Sequence, residues 1–182
     1  MDPSIAEQQL FDDTLYNDLP LPLMLDAATS VALIGSELRL RAIALVEDSR
    51  SDEGEERGEG NPALHRLEAK LDLVLALCAS LVAQQRPALR QVPVRWSARG
   101  LRVDWPDDAT PLAQPSSITL QAADWLPDPI SLPVVLLASQ RIDGASRLWL
   151  AFDALGDGLQ TALERHVFRL HRRQVANHRR QR

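Results

Sequence analysis

The chain has 182 residues, 45% of them apolar and 25% charged, with 20 basic against 25 acidic side chains and a formal net charge of −5. That balance belongs to a folded globular chain, and the length suits one domain or one domain with an insertion. A single cysteine, Cys78, excludes an internal disulfide framework and a cysteine-rich zinc site. The acidic N-terminus shows no apolar leader, and the uncharged stretch 73–85 is 13 residues, short of the ~20 that span a bilayer. A soluble, cytoplasmic protein without a membrane span is expected.

Taken in chain order, the first element is a strand over 19–25, where Leu alternates with Pro20 and Pro22. Prolines cannot donate to a ladder, so this pattern reads as an edge strand. Residues 27–48 then follow a helical period without proline. Residues 51–60 hold five acids, three glycines and no apolar side chain, the composition of a mobile loop. A second helical segment, 62–85, opens on Asn61-Pro62, an N-cap followed by proline at the first helical position. It stops at Arg86-Pro87. Together the two segments read as a helical hairpin.

After the hairpin come five short runs of strand character, 91–97, 101–105, 117–122, 132–141 and 146–152, separated by turns such as Pro106-Asp107-Asp108 and Asp143-Gly144. A last helix is expected from Asp157 to the mid-170s, with Leu159, Leu163, Val167 and Leu170 on one stripe. The sheet is therefore split, with one strand before the hairpin and five after it. The fold class is α+β, a small antiparallel six-stranded barrel with an inserted helical hairpin and a C-terminal helix. The expected divisions are 1–26, 27–86 and 87–182.

The second arm of the hairpin carries the sharpest signal. Leu64, Leu67, Leu71, Val74, Cys78 and Leu81 are spaced 3, 4, 3, 4 and 3 apart, an unbroken a/d heptad. Such a repeat keeps one stripe facing a partner helix. Leu75, Leu77 and Val82 widen the stripe, and the first arm adds Val31, Ile34, Leu38, Ile43 and Leu45. This is more apolar surface than one hairpin can bury. A parallel four-stranded core of residues 62–85, with 27–48 packed outside it, is expected in a homotetramer. The alternative is a dimer of two hairpins in one bundle.

Charge is unevenly placed, with 14 acids and 4 bases in residues 1–60 but 11 and 16 in residues 61–182. Arg165, Arg169, Arg172, Arg173, Arg179, Arg180 and Arg182 crowd the C-terminus, where cations suit a helix end. Phe168 is the one aromatic among them, so a solvated helix face is expected rather than a nucleic-acid interface. The four histidines, His65, His166, His171 and His178, lack the i,i+4 spacing of a metal face and are expected to be solvated. Trp96, Trp105, Trp125 and Trp149 are read as packing residues. No nucleophile elbow, phosphate loop or paired acid motif is present, and no enzymatic activity is expected.

One stretch carries a family resemblance. Arg95-Trp96-Ser97-Ala98-Arg99-Gly100 resembles the (Asp/Asn)-x-Ser-x-x-Gly motif of the PilZ domain, the small barrel of bacterial cyclic-di-GMP signalling. Residues 115–120 are similar to the family's fourth strand, 134–141 and 147–152 to its closing hairpin, and 163–173 to its C-terminal helix. The resemblance implies an adaptor in motility, pilus or virulence regulation, with partners of the GGDEF–EAL type or among pilus and motility proteins. It also implies that a ligand would be held by an Arg-x-x-x-Arg pair and by the Ser–Gly motif. Here the residues before Leu19 contain no arginine and three aspartates, and Arg95 stands at the acidic position. Arg86 and Arg90 have the right spacing but follow the hairpin. A degenerate pocket with weak or no cyclic-di-GMP binding and no resident cofactor is expected. The alternative is a direct receptor using Arg86, Arg90, Arg95, Ser97, Arg99 and Gly100.

Overall fold

The alternation of apolar and polar residues along the strand runs closes on itself. In the computed structural model, which describes residues 1–27, 33–52, 67, 70, 71, 74, 89–106, 114–126 and 128–180, six antiparallel strands form a closed barrel. They are β1 (Tyr16–Asp26), β2 (Arg90–Ser97), β3 (Gly100–Pro106), β4 (Ser117–Leu120), β5 (Ile130–Ile142) and β6 (Ala145–Phe152). Their order around the barrel is β1-β2-β3-β6-β5-β4. Every second side chain points inward, among them Val94, Trp96, Leu101, Val103, Leu148 and Leu150, all buried. Asp143 and Gly144 make the β5–β6 turn with φ of 43° and 77°, the left-handed pair that a two-residue hairpin requires.

Closure corrects the edge-strand expectation. β1 pairs with β2 over Tyr16–Leu23 and with β4 over Leu23–Asp26, so the first strand has a neighbour on each side. Its prolines fit because Pro20 stands opposite Pro93, where the missing donors coincide at one rung. Pro22 still contributes its carbonyl, which accepts from the Gln121 amide at 3.0 Å.

Three helices have both ends among the described residues, and the described positions 67, 70, 71 and 74 are helical as well. α1 (Pro3–Phe11) was not expected from the apolar pattern. Its start is marked locally, because Asp2 accepts from the Ser4 amide at 2.8 Å and Pro3 follows as the first helical residue. Those hydrogen bonds to Ser4 hold the Asp2 carboxyl below the usual carboxylate range. α2 (Leu33–Asp52) lies between β1 and β2, and α3 (Asp157–Arg180) ends the chain.

α2 packs on the barrel through one of its faces. Leu40 and Ile43 are buried in the same core as the barrel interior and the α3 residues Leu159, Leu163 and Val167. Ser36 anchors the helix start, its hydroxyl donating to the Ser131 carbonyl at 2.8 Å while accepting from the Ser131 amide at 3.1 Å. Ile34, Leu38 and Leu45 face away and are exposed. α2 also runs two residues into the expected acidic loop, through Ser51 and Asp52; residues 53–60 lie outside the described residues. The third run of strand character after the hairpin, expected to reach Ala122, ends at Leu120. No helix among the described residues is long and apolar enough to cross a membrane.

Candidate functional site

Antiparallel register lays one row of outward-facing residues across the barrel. Asp18 on β1 stands opposite Arg95 on β2, Arg95 opposite Arg102 on β3, Arg102 opposite Trp149 on β6, and Trp149 opposite Ala138 on β5. α1 lies across this row. Its Glu7 Oε1 accepts from Arg95 Nη1 at 2.9 Å and from Arg102 Nη1 at 2.7 Å, while Oε2 accepts from Trp149 Nε1 at 2.6 Å. Asp18 holds Arg95 with two further bonds, from Nε at 2.8 Å and Nη2 at 3.0 Å, the forked geometry that suits guanidinium and carboxylate. The Asp18 bond, with the charges of Asp18 and Glu7 adding to it, raises the Arg95 pKa above its already high value against the opposing effect of burial. Tyr16 lies under the same guanidinium, 4.5 Å from ring centre to Cζ. One rung further, Arg147 donates to Asp104 at 2.6 and 2.9 Å, which likewise raises its pKa.

The residues of the Ser–Gly motif serve this same helix. Ser97 is fully buried; its hydroxyl donates to the Leu10 carbonyl at 2.7 Å and accepts from the Arg99 amide at 3.1 Å. Arg99 Nη1 donates to the carbonyls of Gln9 at 3.3 Å and Asp12 at 3.0 Å. Helix C-termini leave four carbonyls without intrahelical donors, and Ser97 and Arg99 supply donors to this end of α1. Gly100 admits the close approach of strand and helix, since a Cβ there would lie 2.1 Å from the Leu150 carbonyl oxygen and 2.9 Å from a Leu10 methyl. Arg95, Ser97, Arg99 and Gly100 are thus brought together. Arg90 begins β2 opposite Leu23, and Arg86 lies outside the described residues.

Of the heptad residues, Leu67, Leu71 and Val74 lie on helical backbone and are 55%, 54% and 54% exposed. Leu64, Cys78 and Leu81 lie outside the described residues.

Sequence reasoning missed Glu7 and misread His166. His166 is wholly buried against Trp96, with ring centroids 5.2 Å apart, rather than solvated. Burial, reinforced by Arg169 and then Arg173 and partly opposed by the Ala122 carbonyl, lowers its pKa to about 4. Its position four residues before Leu170 and three after Leu163 was the available signal. Trp96, Trp105 and Trp149 are buried, whereas Trp125 is exposed in a loop rather than packed. No group of three or more metal-binding side chains occurs among the described residues.

Comparison with known proteins finds a family and a solved structure similar to the chain. The family "Atypical PilZ domain, cyclic di-GMP receptor" matches residues 40–180. No curated protein matches the chain. A crystal structure of a pathogenic protein from Xanthomonas campestris, a tetrameric PilZ domain self-assembled via an unusual helical bundle, is 44% identical. The match covers 96% of this chain and 97% of that one, with a TM-score of 0.77. With a family model matching residues 40–180 and a solved relative 44% identical across 96% of its length, the chain belongs to the atypical PilZ domain family.

Proposed function

We propose that the protein is a non-enzymatic adaptor in bacterial cyclic-di-GMP signalling, assembled into a homotetramer by the helical segment 62–85. It acts through protein partners, of the GGDEF–EAL type or among pilus and motility components, and binds cyclic di-GMP weakly or not at all. The observation that carries the assembly is the exposure of Leu67, Leu71 and Val74, three consecutive heptad positions that one chain leaves more than half uncovered. In such a seam the a and d side chains are buried as knobs in the holes of a facing helix. The tetramer of the Xanthomonas relative, built through a helical bundle, supports this reading. Display of several barrels on one stalk raises their effective concentration for a partner.

The ligand side of the reading rests on α1. Ser97 and Arg99 are engaged with its carbonyls, and Arg95 with Glu7 and Asp18. A second reading, a direct receptor using Arg86, Arg90 and the Ser97–Gly100 motif, is favoured by the family's description as a receptor. Light scattering with and without Leu71→Asp tests the assembly: the native protein should run as a tetramer and the variant should not. Calorimetric titration with cyclic di-GMP separates the readings. Micromolar or tighter binding, lost in Arg86→Ala with Arg90→Ala, would establish the second.

A further inference from the structure

Arg95 and Arg102 face each other on neighbouring strands, where like charges destabilise a sheet. Asp18 is committed to Arg95 through Nε and Nη2. The remaining nitrogen of Arg95, the guanidinium of Arg102 and the indole N–H of Trp149 all converge on one carboxylate, that of Glu7. The wall around this anchor is shaped for a helix. Ala6, Leu10 and Phe11 pack with Ala138 and Trp149, while Ser97 and Arg99 donate to the helix's last carbonyls. Past Glu7 the wall continues as a cavity of about 320 Å³ lined by Asp18, Pro20, Pro93, Arg95, Arg102 and Asp104, among others, which α1 leaves unfilled.

Two features allow α1 to leave. Its apolar contacts form a small cluster separate from the barrel core, so its release costs far less than global unfolding. The residues that join it to β1 include Asp13 at φ 52°, a conformation that a non-glycine residue adopts at some cost.

We propose that this outer wall is a receptor for an acidic helix of a partner protein, and that α1 is the resident occupant holding it closed. The partner helix would present a carboxylate to Arg95, Arg102 and Trp149, and small or aliphatic residues to Ala138. The proposal rests on the adaptor reading, in which the barrel works through protein partners.

The test uses the full-length chain with Glu7→Lys, which turns the anchor into a charge that both arginines repel, and in parallel the milder Glu7→Gln. The probe is a synthetic peptide of residues 2–13, followed by tryptophan fluorescence and calorimetry. The peptide should bind both variants about tenfold or more tightly than it binds the native chain, whose wall is filled. Its Glu7→Gln form should bind the variants about tenfold more weakly, the loss expected for one charge-assisted contact. Arg102→Gln, added to Glu7→Lys, should weaken binding about a further tenfold. Absence of peptide binding to both folded variants would overturn the proposal, as would equal binding to the native chain. So would cyclic di-GMP or inorganic phosphate binding the variants more tightly than the peptide, since the wall would then be an anion site without preference for a helix. Light scattering on the same samples keeps the two readings apart, because an intact tetramer that refuses the peptide defeats this inference alone.

Discussion

The Asn17 side chain donates to the backbone carbonyl of Val167 at 3.0 Å, joining β1 to α3 across 150 residues of sequence. Asn17 is buried and stands in register with Trp96, whose ring meets His166. Three polar side chains, from β1, β2 and α3, therefore sit together beneath the last helix. Burial makes their polar atoms costly unless they find partners; the Asn17 amide nitrogen finds one in Val167 and the Trp96 indole nitrogen finds none, so the apolar stripe carries most of the seat of α3.

That seat should respond to acid. In the unfolded chain the His166 imidazole takes up its proton near 6.5, and in the folded protein only near 4. The folded state binds fewer protons between these values. Stability is complete above 6.5, falls as pH drops through that value, and levels off below about 4, for a total loss of about 3 kcal/mol. Urea midpoints measured from pH 7.5 to 5 at fixed protein concentration should fall in the native protein and stay flatter in His166→Leu. Parallel curves would assign the acid sensitivity to another group.

Gly100 should tolerate no side chain. The Cβ of alanine would overlap the Leu150 carbonyl at 2.1 Å and approach the Ala151 Cα at 3.0 Å. Both neighbours are backbone of β6, so β3 and β6 must separate at this rung. A loss of about 3 kcal/mol is expected, at the upper end of overpacking effects, together with loosening of α1 through Leu10. An unchanged melting temperature in Gly100→Ala would mean that the barrel yields here.

How far the sequence alone reaches is seen by setting these residues side by side. Val103 and Trp105 alternate with Arg102 and Asp104, so β3 can be read directly, while Leu148-Trp149-Leu150 shows β6 as a short continuous apolar run. Asp143-Gly144 marks its turn, and Leu159, Leu163 and Val167 mark the buried face of α3. Glu7 gave no such signal, because its partners Arg95, Arg102 and Trp149 lie 88 to 142 residues away. Arg95 therefore looked like a departure from an acidic motif position, when it is part of the seat of α1. His166 was hidden by the arginines around it, although it falls on the apolar stripe. The two faces of α2 were inseparable by composition, since Leu40 and Ile43 pack on the barrel while Leu38 and Leu45 do not.

Removing the Ser97 hydroxyl should release the end of α1. Alanine there leaves the Leu10 carbonyl and the Arg99 amide without the partner each now has. Unpaired buried groups of this kind cost about 1–3 kcal/mol. Hydrogen exchange in Ser97→Ala should show lost protection at the Arg99 amide and through α1, with the strands β4 and β5 unaffected. Unchanged protection at Arg99 would show that the hydroxyl does not hold this turn.

The opposite faces of α2 should separate folding from assembly. Leu40 is 1% exposed within the barrel core, whereas Leu45 is 74% exposed. Leu40→Ala removes packed methyl groups and should cost about 2–5 kcal/mol. Leu45→Asp adds a charge to a solvent-facing position and should change the stability of the single chain by less than about 0.5 kcal/mol. Because assembly itself stabilises the folded state, both are compared in the Leu71→Asp background, where the seam is broken. In the otherwise native chain, light scattering should find Leu40→Ala still assembled at temperatures below its melt. Leu45→Asp should weaken assembly there if the exposed face of α2 lies against the bundle. A Leu45→Asp protein that assembles as firmly as the native chain would confine the interface to the heptad segment.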